Sequence, residues 1–419
     1  MRITDIRLEQ TDSSAQLTAT FVWETAQRPT ADVYFRVPRS FADALSLDGN
    51  SFLTAAVFPA VEAGEKRVLV EAPICPRLKS GLETILATFR EWYGAPNIAI
   101  EASSFTEPNG GRRRAAAFLT GGIDSLATLR RNRLAFPASH PEFILDFIIL
   151  YGINFDSDDK LDTFSGAVEE LTTVATAAGG TLIPVTTNAR RELNRDLDFF
   201  RYKYHAALLA SAAHAMSARV STVTIASTHD VANLIPWGSH PLIDVNFASA
   251  DLRIYHDGAD MSRFEKTRLV AAWDTGLQNI KVCTRNWPGA NCGECEKCLR
   301  TILALTALNA LNQCASFRRP PLTADEVRRI EIFDDNQATF YVELIGPLQA
   351  AGRPDLAQAA EFVLAKYYGE IGARGAVIRW DREHLHGALR AVWSSLRGSA
   401  SATRLSTAAP IVSKRLHGY

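Results

Sequence analysis

A chain of 419 residues with a formal net charge of −1 is too long for one ordinary domain and fits two or three of about 150 residues each. Its 47% hydrophobic and 22% charged residues supply enough apolar material for a sizeable core. The near-neutral total gives no global attraction to nucleic acid or to an anionic membrane and weighs against both as partners.

The first 108 residues read as β-rich. Apolar and polar residues that alternate at least in part, between turn-type residues, predict strands at Ile3–Leu8, Gln16–Trp23, Asp32–Val37, Phe52–Phe58 and Arg67–Glu71. Leu82, Ile85, Leu86, Phe89 and Trp92 recur at helical spacing within Leu78–Trp92, and Ile98–Ile100 reads as a further strand. Glu107-Pro-Asn-Gly-Gly-Arg-Arg-Arg114 combines Pro, Gly and charge and reads as a linker. Strands then alternate with helices. Ala115–Leu119, Phe143–Tyr151, Thr181–Thr186 and Val220–Ala226 are the strands, and Ser125–Arg133, Leu161–Ala178 and Arg201–Ser217 the helices. That alternation predicts an α/β unit, a parallel sheet with helices on both faces. From Arg300 onward the pattern is helical: Arg300–Leu311, Thr323–Ile332, Ala338–Ala350, Asp355–Tyr368 and Asp381–Leu396. The expected domains are therefore 1–108 (β-rich), 109–315 (α/β) and 316–419 (helical). Phe143 to Ile153, the most apolar stretch, contains Asp146 and is far too short to span a bilayer. The opening MRITDIRLEQ carries acidic residues where a signal peptide has its apolar core. Cytoplasmic location is the expectation.

Two motifs carry chemistry. Ala115-Ala-Ala-Phe-Leu-Thr-Gly-Gly-Ile-Asp-Ser125 is a strand, a Gly-Gly turn and a helix start. The glycines allow positive φ and close approach to a ligand, and a helix N-terminus attracts anions. Asp124 and Ser125 stand where helix caps sit. Neither a GxxxxGK[ST] nor a GxGxxG pattern occurs. The second motif is Cys283-x8-Cys292-Gly-Glu-Cys295-Glu-Lys-Cys298. Four thiolates this close in sequence suit a tetrahedral zinc ion (Zn2+), and Gly293 eases the turn between the first CxxC pair. Cys-x2-Cys-x2-Cys also suits an iron–sulfur cluster, but the fourth cysteine at x8 favours zinc. Cys75 and Cys314 read as buried thiols.

Thr120-Gly-Gly-Ile-Asp-Ser125 resembles the SGGxDS signature of the PP-loop ATP pyrophosphatases, the adenine nucleotide alpha-hydrolase-like superfamily, with Thr in place of the first Ser. The resemblance implies that Thr120, Gly121, Gly122, Asp124 and Ser125 bind ATP phosphates with magnesium (Mg2+), and that Asp124 and Ser125 carry the chemistry of an attack on the α-phosphate. The cysteine spacing, about 160 residues downstream, resembles that of the 7-cyano-7-deazaguanine synthase family. That resemblance covers about half of the chain, residues 115 to about 312. It implies adenylation of a deazapurine carboxylate with release of pyrophosphate, and a structural zinc on Cys283, Cys292, Cys295 and Cys298. The flanking regions make the layout similar to synthase-like members of Qat-type antiphage defence systems, which implies attachment of the activated acid to a protein partner from the same operon. A thiolating tRNA-modifying PP-loop enzyme and a zinc-stabilised, non-catalytic partner-binding protein are the alternatives.

Polar residues beyond the motifs are weaker candidates. His229, Asp230, Ser239, His240 and Asp244 follow the strand Val220–Ala226 and could contact substrate or magnesium. Arg253, His256, Asp257, Arg263 and Lys266 form a polar run before a helix predicted at Lys266–Trp273; some could reach phosphates, and a solvated face is the competing reading. Arg112-Arg-Arg114 lies at the wrong end of its strand for a phosphate clamp. Arg201, Lys203 and His205 open the Ala-rich helix.

Overall fold

The computed structural model describes residues 1–108, 110–111, 113–153, 161–283 and 290–384. Among the described residues ten strands form one sheet: β1 (Arg2–Gln10), β2 (Ser14–Val22), β3 (Ala31–Pro38), β4 (Arg67–Ile74), β5 (Ala99–Phe105), β6 (Arg114–Phe118), β7 (Ile144–Tyr151), β8 (Thr181–Thr187), β9 (Val220–Ala226) and β10 (Arg253–Asp257). Their spatial order is β10-β9-β6-β7-β8-β3-β2-β1-β4-β5. The five strands from β10 to β8 are mutually parallel, β8-β3-β2-β1 pair antiparallel, and β1-β4-β5 return to parallel. The protein is therefore α/β, with a mostly parallel sheet.

Both faces of the central strands are buried, and their side chains divide by strand period. Ala116 and Phe118 of β6, with Ile148 and Leu150 of β7, join one core with the N-terminal strands and the helices α1 (Asn50–Glu62) and α2 (Pro76–Tyr93). Ala115 and Ala117, with Phe147, Ile149 and Tyr151, join the other. That second core lies against α3 (Ile123–Ala135), α4 (Leu161–Ala177) and the C-terminal helices. The Ala-rich helix α5 (His205–Ala215) belongs to the first core. Past it come α6 (Arg263–Ala271), α7 (Glu296–Ala307), α8 (Asp335–Val342) and α9 (Pro354–His384). The charge inside the apolar strand β7 has a partner. Asp146 is fully buried, accepts from Arg219 Nε at 2.8 Å and Nη2 at 3.0 Å, and forms an ion pair, without a hydrogen bond, with Arg114 Nε at 3.2 Å.

Three expectations are corrected. Phe52–Phe58, read as a strand, is the middle of α1. Asn50 to Ala60 are all buried, so the segment shows no apolar–polar alternation, and a wholly buried helix cannot be told from a buried strand by period. Arg253–Asp257, read as part of a polar run, is the edge strand β10: Ile254 is buried while Arg253 and Tyr255 are exposed. The helix predicted from Lys266 begins at Arg263, because Ser262 and Glu265 form a reciprocal capping box. The predicted helix Asp381–Leu396 lies largely outside the described residues. No helix among the described residues is long and apolar enough to cross a membrane.

The seam between the antiparallel and parallel parts of the sheet is short, pairing Phe35 with Thr187 and Arg36 with Thr186. Asn188 extends it with its side chain, accepting from Tyr34 N at 2.9 Å and donating to Asp32 O at 2.8 Å. It is 8% exposed, so truncation leaves two backbone groups short of partners. Asn188→Ala is expected to lower unfolding free energy by about 1–3 kcal/mol, read as a reduced urea midpoint; an unchanged midpoint would show that the seam contributes nothing.

Candidate functional site

The strand order reverses at β6. The chain runs from β6 outward to β7 and β8, then crosses back to place β9 on the other side of β6. In an open parallel sheet such a reversal leaves a crevice outside the carboxyl ends of the strands, where ligands bind. The loop after β6 carries Thr120 to Gly122, and the segment after β9 carries Ser227 to Asp230.

Gly121 has φ +70°, and a Cβ there would stand 2.9 Å from Lys281 Cβ, so both conformation and space require glycine. Gly122, rather than Asp124, is the N-cap of α3. Ser125 closes the loop from inside: its Oγ donates to Gly122 O at 3.0 Å, accepts from Thr120 N at 3.2 Å and lies 3.3 Å from Thr120 Oγ1. Asp124 stands in the first turn of α3 and turns to α6. Its Oδ2 pairs closely with Arg263 Nη1, and its Oδ1, which makes no hydrogen bond, is 3.9 Å from Lys266 Nζ. Lys266 is 1% exposed and donates to Ser227 O at 2.7 Å. Burial pulls its pKa down and the Asp124 charge opposes that. The carboxylate of α3 and two cations of α6 thus meet between the ends of β6 and β9.

His229 joins this group. Burial pushes its pKa down to about 4, against the pull of Asp124, so the ring is neutral near pH 7. It stacks on Phe340 of α8, with centroids 5.2 Å apart and planes at 9°. Arg300 of α7 lies over the same Phe340 ring at 4.1 Å. Its Nη1 is buried without a hydrogen-bond partner, while its Nε is 3.4 Å from Glu296 Oε1. An open cavity of about 320 Å³ adjoins Arg263. It is bounded by the segment after β9, the start of α6, and residues of α8 and α9.

Cys283, Cys292, Cys295 and Cys298 converge, all four sulfurs within 4.8 Å of one another. Cys292 and Cys298 are 3.8 Å apart, and Cys283 and Cys295 4.0 Å. Tetrahedral thiolates about 2.3 Å from one ion lie ~3.8 Å from each other, so the set could hold a single metal ion. A four-iron cluster would put each thiolate on a different iron and hold the sulfurs farther apart. The thiols act on one another: hydrogen bonding, from Cys298 foremost, pulls Cys295 down, burial pushes Cys292 up, and the contact with Cys295 pushes Cys298 up. Gly293 takes φ +73°, the left-handed turn of the CxxC. Asn291, 8% exposed, holds the loop from below. Its Oδ1 accepts from Val282 N at 3.0 Å and Cys283 N at 3.1 Å, and its Nδ2 donates to Ile280 O at 2.9 Å and Ser316 O at 3.1 Å.

The remaining candidates disperse. Asp244 is fully buried, accepts from Ser239 Oγ at 2.7 Å and His240 N at 3.0 Å, and pairs with His256 Nδ1 at 2.7 Å. His240 packs on Trp92 of α2, so this network ties the segment to the first core. Asp257 accepts from Thr128 at 2.7 Å, Lys203 pairs with Glu62 at 2.9 Å, and Arg253 pairs with Glu142. Arg201 sits in the π-helical turn Phe200–Tyr204, and half-buried His205 opens α5. Arg113 is held by Asp251 at 3.0 Å; Arg112 lies outside the described residues. Cys75 and Cys314 are buried thiols, bonded to Ala250 N and Leu277 O. Arg300, Phe340 and Glu343, which do meet near the loop, belong to no motif; no short-range pattern could have found them.

Metal analysis of the purified chain is expected to give one ion per chain, lost in Cys295→Ser. Asn291→Ala, which orphans two N–H and two C=O groups, is expected to weaken metal retention about tenfold or more. Metal content independent of Cys295 would contradict the four-thiolate site.

Comparison of the chain with protein-family models, with curated proteins and with solved structures finds no match.

Proposed function

We propose that the chain is an ATP-dependent, C–N bond-forming ligase of the PP-loop type that activates a carboxylate, of the 7-deazapurine class, as an acyl adenylate. The supporting observation is the position of Thr120 to Ser125: at the end of the central strand, at the N-terminus of α3, at the reversal of strand order, and within the reach of Arg263 and Lys266. Each feature favours a polyphosphate.

In the reaction an oxygen of the substrate carboxylate attacks the α-phosphorus of ATP, the bond to the bridging oxygen breaks, and pyrophosphate leaves. A nitrogen nucleophile then adds to the acyl carbon, and AMP departs with the attacking oxygen. The nucleophile's proton passes to solvent. Thr120 and Ser125 set the loop, and the N–H groups of α3 face the phosphates. Arg263 and Lys266 are the cations available to developing negative charge. Asp124 is the carboxylate that would hold magnesium. Its Oδ1 makes no hydrogen bond between two cations, which fits a residue paired internally until phosphates draw the cations away. Bound magnesium supplies charge neutralisation on the phosphate oxygens. The four cysteines would hold zinc in a closed, structural set. A protein amine as nucleophile, supplied by a partner, fits the same chemistry as ammonia.

With ATP, magnesium and 7-carboxy-7-deazaguanine the chain is expected to release AMP and pyrophosphate in a substrate-stimulated manner, and Asp124→Ala to lower the rate about a hundredfold or more. ADP as the product, or no AMP from metal-loaded protein even with neighbouring gene products added, would overturn the ligase reading.

A further inference from the structure

The four clustered cysteines are not equally open to a reagent in solvent. Cys283 and Cys298 are fully buried, whereas Cys292 and Cys295 are half-buried. The sulfur of Cys292 already accepts from two backbone N–H groups, Glu294 at 3.4 Å and Cys295 at 3.3 Å, and these donors occupy the lone pairs an electrophile needs. Cys295 stands at the N-cap of α7, where the positive end of a helix favours a nucleophilic thiolate. Its sulfur lies 4.0 Å from that of Cys283. A solvent-accessible thiolate with a second thiol within reach is the arrangement of an oxidant-sensing cysteine. What Cys283 is tied to gives that pair a consequence. Cys283 N and Val282 N are both held by Asn291 Oδ1, at 3.1 and 3.0 Å. Two residues before Cys283, Lys281 N donates to Gly121 O at 2.8 Å, and Lys281 Cβ stands 2.9 Å from the point a Cβ on Gly121 would occupy. Movement of Cys283 toward Cys295 therefore pulls on the segment that pins the glycine turn.

We infer that Cys295 is an oxidation site for hydroperoxides, and that its oxidation releases the metal and loosens the glycine turn together. The Cys295 thiolate attacks one peroxide oxygen, the O–O bond breaks, and the departing oxygen takes a proton from solvent to leave as water or an alcohol. Cys295 is then a sulfenic acid. The Cys283 thiolate attacks the Cys295 sulfur, the S–O bond breaks, and hydroxide leaves and is protonated to water. The two sulfurs have given two electrons to the peroxide and closed one disulfide. Cys292 and Cys298 alone do not complete a tetrahedral set, so the ion departs. The inference stands on the four-thiolate set and does not depend on the ligase reading.

The test treats the metal-loaded full chain with hydrogen peroxide, without nucleotide or substrate, and follows the freed ion with a chromogenic chelator. Metal release is expected to keep step with the loss of two thiols. Dimedone, which traps sulfenic acids, is expected to label Cys295 at early times, and peptide mapping to find a disulfide between Cys283 and Cys295 later. Hydrogen exchange at the Lys281 amide is expected to rise about tenfold or more as the bond to Gly121 O opens. Reductant with added zinc should reverse all three changes. Cys295→His keeps a nitrogen ligand for zinc and is expected to slow peroxide-driven release about tenfold or more. If that variant fails to load metal, the adduct and disulfide maps of the wild type decide alone. Dimedone on Cys292 in place of Cys295, a disulfide that leaves out Cys295, or metal retained under peroxide would overturn the assignment. Metal loss with Lys281 exchange unchanged would overturn the link to the glycine turn.

Discussion

The reversal of strand order at β6 is the constraint on which the rest depends. A parallel strand has no hairpin return, so its chain must leave through a loop and cross back over a face of the sheet. From β6 the chain crosses over to β7 and then β8 on one side, and from β8 it crosses back to β9 on the other. That leaves the end of β6 uncovered between them, and the Gly121-Gly122 turn occupies it. The N-terminus of α3 contributes positive potential there, and α6 adds Arg263 and Lys266. Asp124 balances those cations. Lys266 at 1% exposure would be costly to bury charged without that carboxylate and the Ser227 carbonyl.

The cysteine loop bears on this crevice through two routes. Lys281, two residues before Cys283, donates its N–H to Gly121 O at 2.8 Å, so the segment leading into the thiolate set also pins the glycine turn. Past Cys295 the chain becomes α7, which carries Cys298 in its first turn; its Arg300 lies over Phe340 and its Glu296 accepts from Tyr341 Oη of α8 at 3.0 Å. A metal held by Cys283, Cys292, Cys295 and Cys298 would therefore fix the glycine turn and the cavity wall relative to each other without touching substrate. The arrangement gives the N- and C-terminal regions different work: α1 and α2 cover the face of the sheet away from α3, while α8 and α9 close the cavity.

What the sequence revealed and what it hid follow from the range of the forces involved. The cysteine set and the glycine turn are local: their spacing is their geometry, and the strand–turn–helix around Thr120 reads directly. β1 to β3 alternate and were legible; α1 was not, because burial on all sides erases the period. The Ser262-x-x-Glu265 capping box was visible in the sequence and would have started α6 at Arg263. It carried more information than the polar run in which it was submerged. Arg300, Phe340 and Glu343 meet His229 and Arg263 only through the fold, each from a separate helix or helix end, so no window of sequence contains them together. Nor does any composition shift announce that the sheet continues from β8 into β3, a junction that rests on two residue pairs and one asparagine side chain.

The most direct measurement follows the oxygen. With 7-carboxy-7-deazaguanine labelled with oxygen-18 in its carboxylate, attack on the α-phosphorus transfers one labelled oxygen to AMP, read by mass spectrometry. Labelled AMP formed with pyrophosphate would establish acyl adenylation. Unlabelled AMP, or label in inorganic phosphate, would show that the carboxylate never bonds to the α-phosphorus and would contradict the assignment of the crevice at β6 as an adenylating site.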